Sequence, residues 1–159
     1  MIKNILVSVS GSTQALVAAK YAIVLARLLQ AKLSVVYVID TKALAELLRS
    51  RIFVEVEARS YEEELQQQGT IMLERIKKMA EAKSVNTEVY LLRGAIHEEV
   101  IKKVEDLPAD ILVLGELKDI ISRTETFYDE GERIFRTAPC PVLIVKNPAM
   151  VEQLYKEII

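Results

Sequence analysis

The sequence predicts one α/β domain in which helices cover both faces of an open, five-stranded parallel sheet. Five short apolar runs rich in β-branched residues are bounded by turn residues, as expected for strands buried on both faces. Longer segments with apolar residues at helical spacing separate these runs. The chain has 159 residues, of which 51% are hydrophobic, and this suits one domain with a sizeable core.

The N-terminal part predicts a strand–helix–strand unit. Residues 2–9 form the first apolar run, and residues 33–39 form the second. Between them, residues 13–30 carry apolar side chains at helical spacing, after a turn at residues 10–13 that offers several N-cap candidates. A strand, helix and strand within about 40 residues imply a parallel pair joined by a right-handed crossover.

The middle of the chain predicts two helices with an ambiguous connection. Residues 41–50 have a helical pattern, whereas residues 51–59 alternate like a strand and also contain helix-favouring residues. We interpret this connection as a helical or irregular entry into a helix over residues 60–83. Ser60 and Glu63 form a capping-box pattern at the start of that helix.

The remaining sequence continues the alternation and contains no linker. Strands are predicted at residues 87–92, 110–114 and 141–145, and helices at residues 96–107 and 129–137. We therefore assign one domain to residues 1–146, followed by a tail at residues 147–159 in which residues 149–158 are expected to be helical.

Composition excludes several classes of protein. Lys and Arg number 21 against 23 Asp and Glu, a near-balance that argues against nucleic acid as a partner. No apolar run is long enough to span a bilayer and the N-terminus lacks a signal-peptide pattern, so we expect a soluble cytoplasmic protein without a membrane partner. Cys140 is the only cysteine, and we interpret it as a small apolar residue at a strand start rather than a redox group.

The expected ligand site of such a sheet lies beyond the carboxyl ends of its strands, where the strand order reverses. The turn at residues 10–13 offers main-chain N–H groups at a helix start beside the hydroxyls of Ser10 and Ser12, which suits an anion. A plain capped helix start is the simpler interpretation, because neither GxGxxG nor a P-loop motif is present.

Four stretches resemble the universal stress protein family across residues 1–146: ILVSVSGS, VYVID, ADILVLG and RTAPCPVLIVK. The resemblance implies a Rossmann-like five-stranded parallel sheet and a cytoplasmic homodimer. It also implies that the protein belongs to one of the two functional branches of the family. One branch binds ATP through a loop of the form G-x2-G-x9-G-[ST] after the fourth strand, and the other lacks this loop.

Aligned on this motif, the chain keeps one glycine of three. The first glycine falls on Gly115, the second on Lys118, and the closing pair on Tyr128 and Asp129. Glycines let main-chain N–H groups approach phosphate oxygens, whereas a tyrosine blocks that approach and an aspartate repels a triphosphate. Residues 116–132 contain six carboxylates against two basic residues, with no spacing typical of a metal site.

These departures predict the branch without the ATP loop. The expected protein is a homodimeric regulatory or protective protein that is not an enzyme. We expect no catalytic residue, metal or cofactor, and the sequence identifies no partner protein. The alternative is a nucleotide-binding stress protein that holds ATP or AMP weakly in an altered pocket. The resemblance aligns the family's strand-end acid with Ser10 and its adenine-reading position with Val38. The residual pocket comprises Ser10, Gly11, Ser12, Val38 and Gly115.

A third hypothesis is an enzyme that acts on an adenylated or phosphorylated small molecule. His97, the only histidine, would be its general base, with Glu98 or Glu99 orienting the imidazole. The preferred interpretation is an exposed histidine in the first turn of a helix.

The last predicted strand is a candidate dimer interface. Val142, Leu143, Ile144 and Val145 carry no charge before Lys146, and the strand order implied by the resemblance puts them at a sheet edge. A bare apolar edge invites pairing, and a two-fold-related copy paired antiparallel would satisfy both edges. The competing hypothesis is that the tail helix folds over this edge and keeps the chain monomeric.

Overall fold

The computed structural model describes residues 1–117 and 130–159, and every structural statement below refers to these residues. The elements alternate between strands and helices along the chain. In order they are β1 (Asn4–Val9), α1 (Thr13–Leu29), β2 (Lys32–Asp40), α2 (Thr41–Arg49), α3 (Glu55–Glu81), β3 (Thr87–Gly94), α4 (Ile96–Asp106), β4 (Ile111–Leu114), α5 (Glu130–Thr137), β5 (Val142–Ile144) and α6 (Pro148–Glu157).

The five strands form one parallel sheet in the order β3-β2-β1-β4-β5, which confirms the predicted fold class. Val7 of β1 pairs with Val35 of β2 on one side and with Val113 of β4 on the other. The chain first builds the sheet from β1 towards β3 and then returns to add β4 and β5. The strand order therefore reverses between β1 and β4, where open α/β sheets bind their ligands.

Two separate cores cover the two faces of the sheet. Ile5, Val7 and Val9 of β1 point into the first core, which includes buried side chains of α1, α3 and α6. Leu6 points into the second core, which includes buried side chains of α4 and α5. Burial on both faces explains why the strands appear in the sequence as continuous apolar runs.

Helix α3 begins earlier than the capping pattern predicts. The helix starts at Glu55 with Val54 as N-cap, and no side chain caps it. The Val54 carbonyl accepts a hydrogen bond of 3.0 Å from the N–H of Ala58, whose side chain is buried. Ser60 lies inside the helix and is exposed, so the predicted capping box at this residue is wrong. The tertiary burial of Ala58 extends the helix beyond the local signal.

Gly69 allows α3 to approach the sheet closely. A Cβ atom at this position would lie 2.8 Å from Cδ1 of Tyr37 in β2 and 2.9 Å from Cδ1 of Leu91 in β3. Both distances are shorter than side-chain contacts permit. The glycine that weakens the helix locally is therefore the residue that brings it against β2 and β3.

The C-terminal tail forms α6, which packs against α1 and reaches α3. Val151 is fully buried in the first core, and Lys20 of α1 forms an ion pair with Glu152. The Tyr155 hydroxyl donates a hydrogen bond of 3.0 Å to the main-chain carbonyl of Met79 in α3. The tail is thus part of the packed structure on the face of α1 and α3. None of the helices in the described ranges is long and apolar enough to cross a membrane.

Candidate ligand cavity at the sheet reversal

A cavity of about 390 Å³ opens at the carboxyl ends of β1 and β4, where the strand order reverses. Side chains from the ends of β1, β2 and β4 form its floor, and the first residues of α1, α4 and α5 form its walls. Its volume lies within the range typical of small-molecule sites. The fold thus places a cavity where the strand-end rule predicts one.

The structure brings together four of the five residues of the predicted pocket. Ser10, Ser12, Val38 and Gly115 line the cavity. Gly11 is not among the lining residues, and a Cβ atom there would lie 3.7 Å from the Tyr37 hydroxyl, outside the cavity. The role of these residues in binding a ligand remains a prediction.

The turn between β1 and α1 is built as a capped helix start. The Ser12 hydroxyl oxygen accepts a hydrogen bond of 3.2 Å from the N–H of Ala15 and caps α1. The Ser10 hydroxyl lies 3.1 Å from the Ser12 hydroxyl and supports it. The Ser12 oxygen therefore already has a structural role, whereas Ser10 is exposed at the mouth of the cavity.

The presence of glycine at position 115 has a structural reason that does not depend on a ligand. A Cβ atom at this position would lie 2.8 Å from the main-chain oxygen of Gln14 and 3.3 Å from the main-chain nitrogen of Ala15. The first turn of α1 therefore packs directly on the backbone after β4. This glycine is required by the close approach of two backbones, whatever the cavity binds.

The cavity wall is apolar with an acidic rim. Val9, Val38 and Ile134 contribute apolar surface, and Glu116 and Glu130 contribute carboxylates. Among the described residues that line the cavity there is no lysine or arginine. The fixed charge of the described wall is thus negative, which disfavours a polyanionic ligand.

His97 is less exposed than predicted, and its neighbour is a different residue. Only 25% of its side chain is exposed, and its Nδ1 lies 3.5 Å from Oε2 of Glu130 at the start of α5. Glu98 instead lies 3.7 Å from Lys42, and Glu99 packs against Gly94. The expectations of an exposed imidazole and of orientation by Glu98 or Glu99 are wrong, because α5 packs across the start of α4.

Three residues of the sequence argument lie outside the described residues. These are Lys118, Tyr128 and Asp129, so their effect on the cavity rests on the sequence alone. Across residues 1–117 and 130–159, no group of three or more His, Cys, Asp or Glu side chains is arranged to hold a metal ion.

The family model of the universal stress protein family matches residues 1–146 of the chain. The chain belongs to the universal stress protein family. Universal stress protein MJ0531 of Methanocaldococcus jannaschii is 30% identical over 146 residues, which cover 92% of this chain and 83% of that protein. The resemblance seen in the sequence motifs is thereby confirmed.

Solved structures share the fold of this universal stress protein. The hypothetical protein MJ0577 superposes with a TM-score of 0.74 at 24% identity and covers 92% of this chain and 97% of its own. A universal stress protein in complex with cAMP has a TM-score of 0.65 at 20% identity, covering 91% and 96%. The universal stress protein of Archaeoglobus fulgidus in complex with dAMP has a TM-score of 0.59 at 17% identity, covering 92% and 100%.

Proposed function

We propose that this universal stress protein is a homodimeric, non-enzymatic regulatory or protective protein of the cytoplasm, and that it does not bind ATP. The proposed absence of ATP binding is based on the acidic rim of the cavity. Glu116 and Glu130 stand on the two sides of the segment that corresponds to the family's ATP loop, and both line the cavity. A triphosphate entering here would meet these two carboxylates, and none of the described lining residues is a lysine or arginine, although Arg133 lies 3.8 Å from Glu130 outside the lining.

The sequence of the loop supports the same proposal. Lys118, Tyr128 and Asp129 stand where the ATP-binding branch has two glycines and a hydroxyl residue. A glycine-rich loop surrounds phosphates with main-chain N–H groups, and bulky or acidic side chains remove that possibility. The loop therefore adds steric and electrostatic obstacles to those of the cavity wall.

A second candidate function is the binding of a nucleotide of low charge, such as AMP or cyclic AMP. The size of the cavity and its apolar floor favour this candidate, because Val38, the position aligned with the family's adenine-reading residue, lines it. Two structural neighbours are complexes with cAMP and dAMP. If such a nucleotide binds in the cavity, its base and ribose contribute most of the affinity and its phosphate contributes little.

Calorimetric titration with ATP, ADP, AMP and cyclic AMP, each with and without magnesium, tests both candidates. We expect no saturable binding of Mg-ATP, and binding of AMP or cyclic AMP alone would select the second candidate. Glu116→Gln removes one carboxylate from the wall and should strengthen the binding of any anionic nucleotide. Glu63→Gln, an exposed residue of α3, is the matched control and should change nothing.

Restoration of the loop provides an independent test. A variant that combines Lys118→Gly, Tyr128→Gly, Asp129→Ser and Ser10→Asp recreates the family's binding pattern in this chain. We expect it to gain measurable ATP binding. A restored loop without any gain would show that something besides the loop also closes the pocket to ATP.

The homodimer is proposed on the edge of β5. Of the described strands, β5 pairs with β4 alone, so the opposite edge of Val142, Leu143 and Ile144 carries no partner strand within the described chain. These side chains are half-buried and uncharged, while Val145 is buried. Helix α6 packs on the face of α1 and α3, which weakens the competing hypothesis of a tail folded over this edge.

Light scattering on the intact chain tests the dimer. We expect the mass of a dimer at about 50 µM, well above the dissociation constant of a specific dimer. A variant with Val142→Glu and Ile144→Glu should lose the dimer. Both side chains also pack against the second core, so its far-UV circular dichroism must match that of the wild type for the result to count. Met150→Glu, on the exposed side of α6, serves as its control. A stable monomer of the intact chain would refute the dimer.

A further inference from the structure

His97 and Glu130 face each other through two atoms that water does not reach. Nδ1 of His97 and Oε2 of Glu130 are 3.5 Å apart, and neither atom has a hydrogen-bond partner among the described residues. If Nδ1 carried a lone pair, two acceptors would face each other without a donor. A lone pair on Nδ1 would face the carboxylate with like charge, whereas an N–H group faces it with opposite charge, so the stable neutral tautomer has the proton on Nδ1.

This arrangement fixes the chemical character of the other ring nitrogen. In a neutral imidazole with a proton on Nδ1, Nε2 carries the lone pair and accepts hydrogen bonds. Nδ1 is inaccessible, so the exposed 25% of the His97 side chain belongs to its other atoms. That exposed part lines a groove of about 400 Å³ between α4 and α5. The groove is distinct from the acidic cavity.

An arginine guanidinium is exposed in this groove. The other described lining residues of the groove are Arg133, Arg136 and Thr137. Arg136 forms a 2.8 Å ion pair with Glu132, but the arginine side chain is 65% exposed and the glutamate only 17%. Arg133 lies 3.8 Å from Oε1 of Glu130, whose Oε2 is directed at His97 and inaccessible. The guanidinium of Arg136 is therefore the accessible member of its ion pair.

We propose that this groove is a second ligand site and that it binds a phosphate group carrying a proton, as inorganic hydrogenphosphate or a protonated phosphate monoester. The guanidinium of Arg136 donates hydrogen bonds to phosphate oxygens. Nε2 of His97 accepts the hydrogen bond of the P–OH group. Glu130 acts as a positioning residue because it holds the proton on Nδ1 and keeps Nε2 an acceptor.

The acceptor at Nε2 gives the groove a selectivity that charge alone does not provide. Hydrogenphosphate and sulfate have the same charge and similar size, but only hydrogenphosphate donates a hydrogen bond. A site with an imposed acceptor leaves that acceptor unpaired when sulfate binds, which costs affinity. The groove should therefore prefer phosphate to sulfate by at least about tenfold, the equivalent of one lost hydrogen bond.

Because the chain has a single histidine, the tautomer of His97 can be measured directly, and this tests the proposal. Nitrogen-15 NMR of the intact protein at pH 8 shows one imidazole, because the chain has one His. We expect the Nδ1–H tautomer in the wild type, a shift towards Nε2–H in Glu130→Ala, and retention in Glu130→Gln, whose amide oxygen still accepts. Inorganic phosphate should shift the His97 signals saturably, and sulfate at equal ionic strength should do so at least about tenfold more weakly.

A pair of arginine variants assigns the signal to the groove. Arg136→Gln should weaken the phosphate response about tenfold or more, since it removes a charged donor. Arg75→Gln, an exposed arginine of α3, should leave it unchanged. An Nε2–H tautomer in the wild type would overturn the role of Glu130. Equal responses to phosphate and sulfate, or no response to phosphate, would overturn the site, and neither result bears on ATP binding in the main cavity.

Discussion

Gly69 of α3 lies so close to Tyr37 of β2 that a Cβ atom on the glycine would come within 2.8 Å of the tyrosine ring. Gly69→Ala should therefore destabilise the protein by roughly 1–3 kcal/mol, the usual cost of overpacking, although alanine favours a helix by about 1 kcal/mol. Urea unfolding measures the change. Gln67→Ala, at an exposed position of the same helix, is the control, and equal stability of wild type and Gly69→Ala would contradict the packing described.

Val151 fastens α6 to the first core. Its side chain is fully buried, so Val151→Ala should reduce the free energy of unfolding by about 2 kcal/mol through lost burial and a residual cavity. Met150→Ala removes a neighbouring side chain that is 44% exposed and should cost much less. Urea unfolding compares the two variants, and similar losses would show that α6 does not pack as described.

Asp110 links the starts of β4 and β1. One of its carboxylate oxygens, Oδ2, accepts hydrogen bonds of 2.8 and 2.9 Å from the N–H groups of Lys3 and Asn4, and these bonds lower the pKa of Asp110. A pKa lowered in the folded state stabilises the protein above the ordinary carboxyl range, and this contribution is lost as the pH falls through the lowered pKa.

Asp110→Asn should therefore have a lower melting temperature than the wild type at pH 7, with the difference narrowing towards pH 3. Thermal unfolding between pH 7 and pH 3 measures this trend. Glu105→Gln, an exposed residue of α4, is the control and should show no such trend. A difference that stays constant over the whole range would exclude the proposed role of the charged carboxylate.

Cys140 is half-buried, and we expect its thiol to react slowly. Burial raises the pKa of its thiol, and the side chain packs beside the second core. Because the thiolate is the reactive form, iodoacetamide should alkylate Cys140 several-fold more slowly in the folded protein than in urea at pH 8. Mass spectrometry measures both rates. Faster alkylation of the folded protein would indicate an activated thiol and support a redox role.

The features predicted well are those that the sequence encodes locally. The strands are buried on both faces, so runs such as residues 33–39 appear as apolar segments, and the strand-end rule brings Ser10, Val38 and Gly115 to one cavity. The capping pattern at Ser60 is a local signal that the fold overrides, because the burial of Ala58 extends the helix.

The features that the sequence did not predict depend on contacts between distant residues. Glycine is needed at position 69 because Tyr37 lies beneath it in the fold. His97 contacts Glu130 because α5 packs on α4. No periodicity or motif encodes either contact. Proximity in sequence favours Glu98 and Glu99 as partners of His97, whereas the fold brings Glu130 to it from a distant part of the chain.

Isothermal titration of the intact protein with Mg-ATP is the measurement that tests the proposed function most directly. With Glu116 and Glu130 in the cavity wall and Lys118, Tyr128 and Asp129 in the loop, we expect no saturable heat up to about 1 mM ATP, equivalent to binding weaker than about −4 kcal/mol. Saturable binding with a dissociation constant near 1 µM, or about −8 kcal/mol, would contradict it.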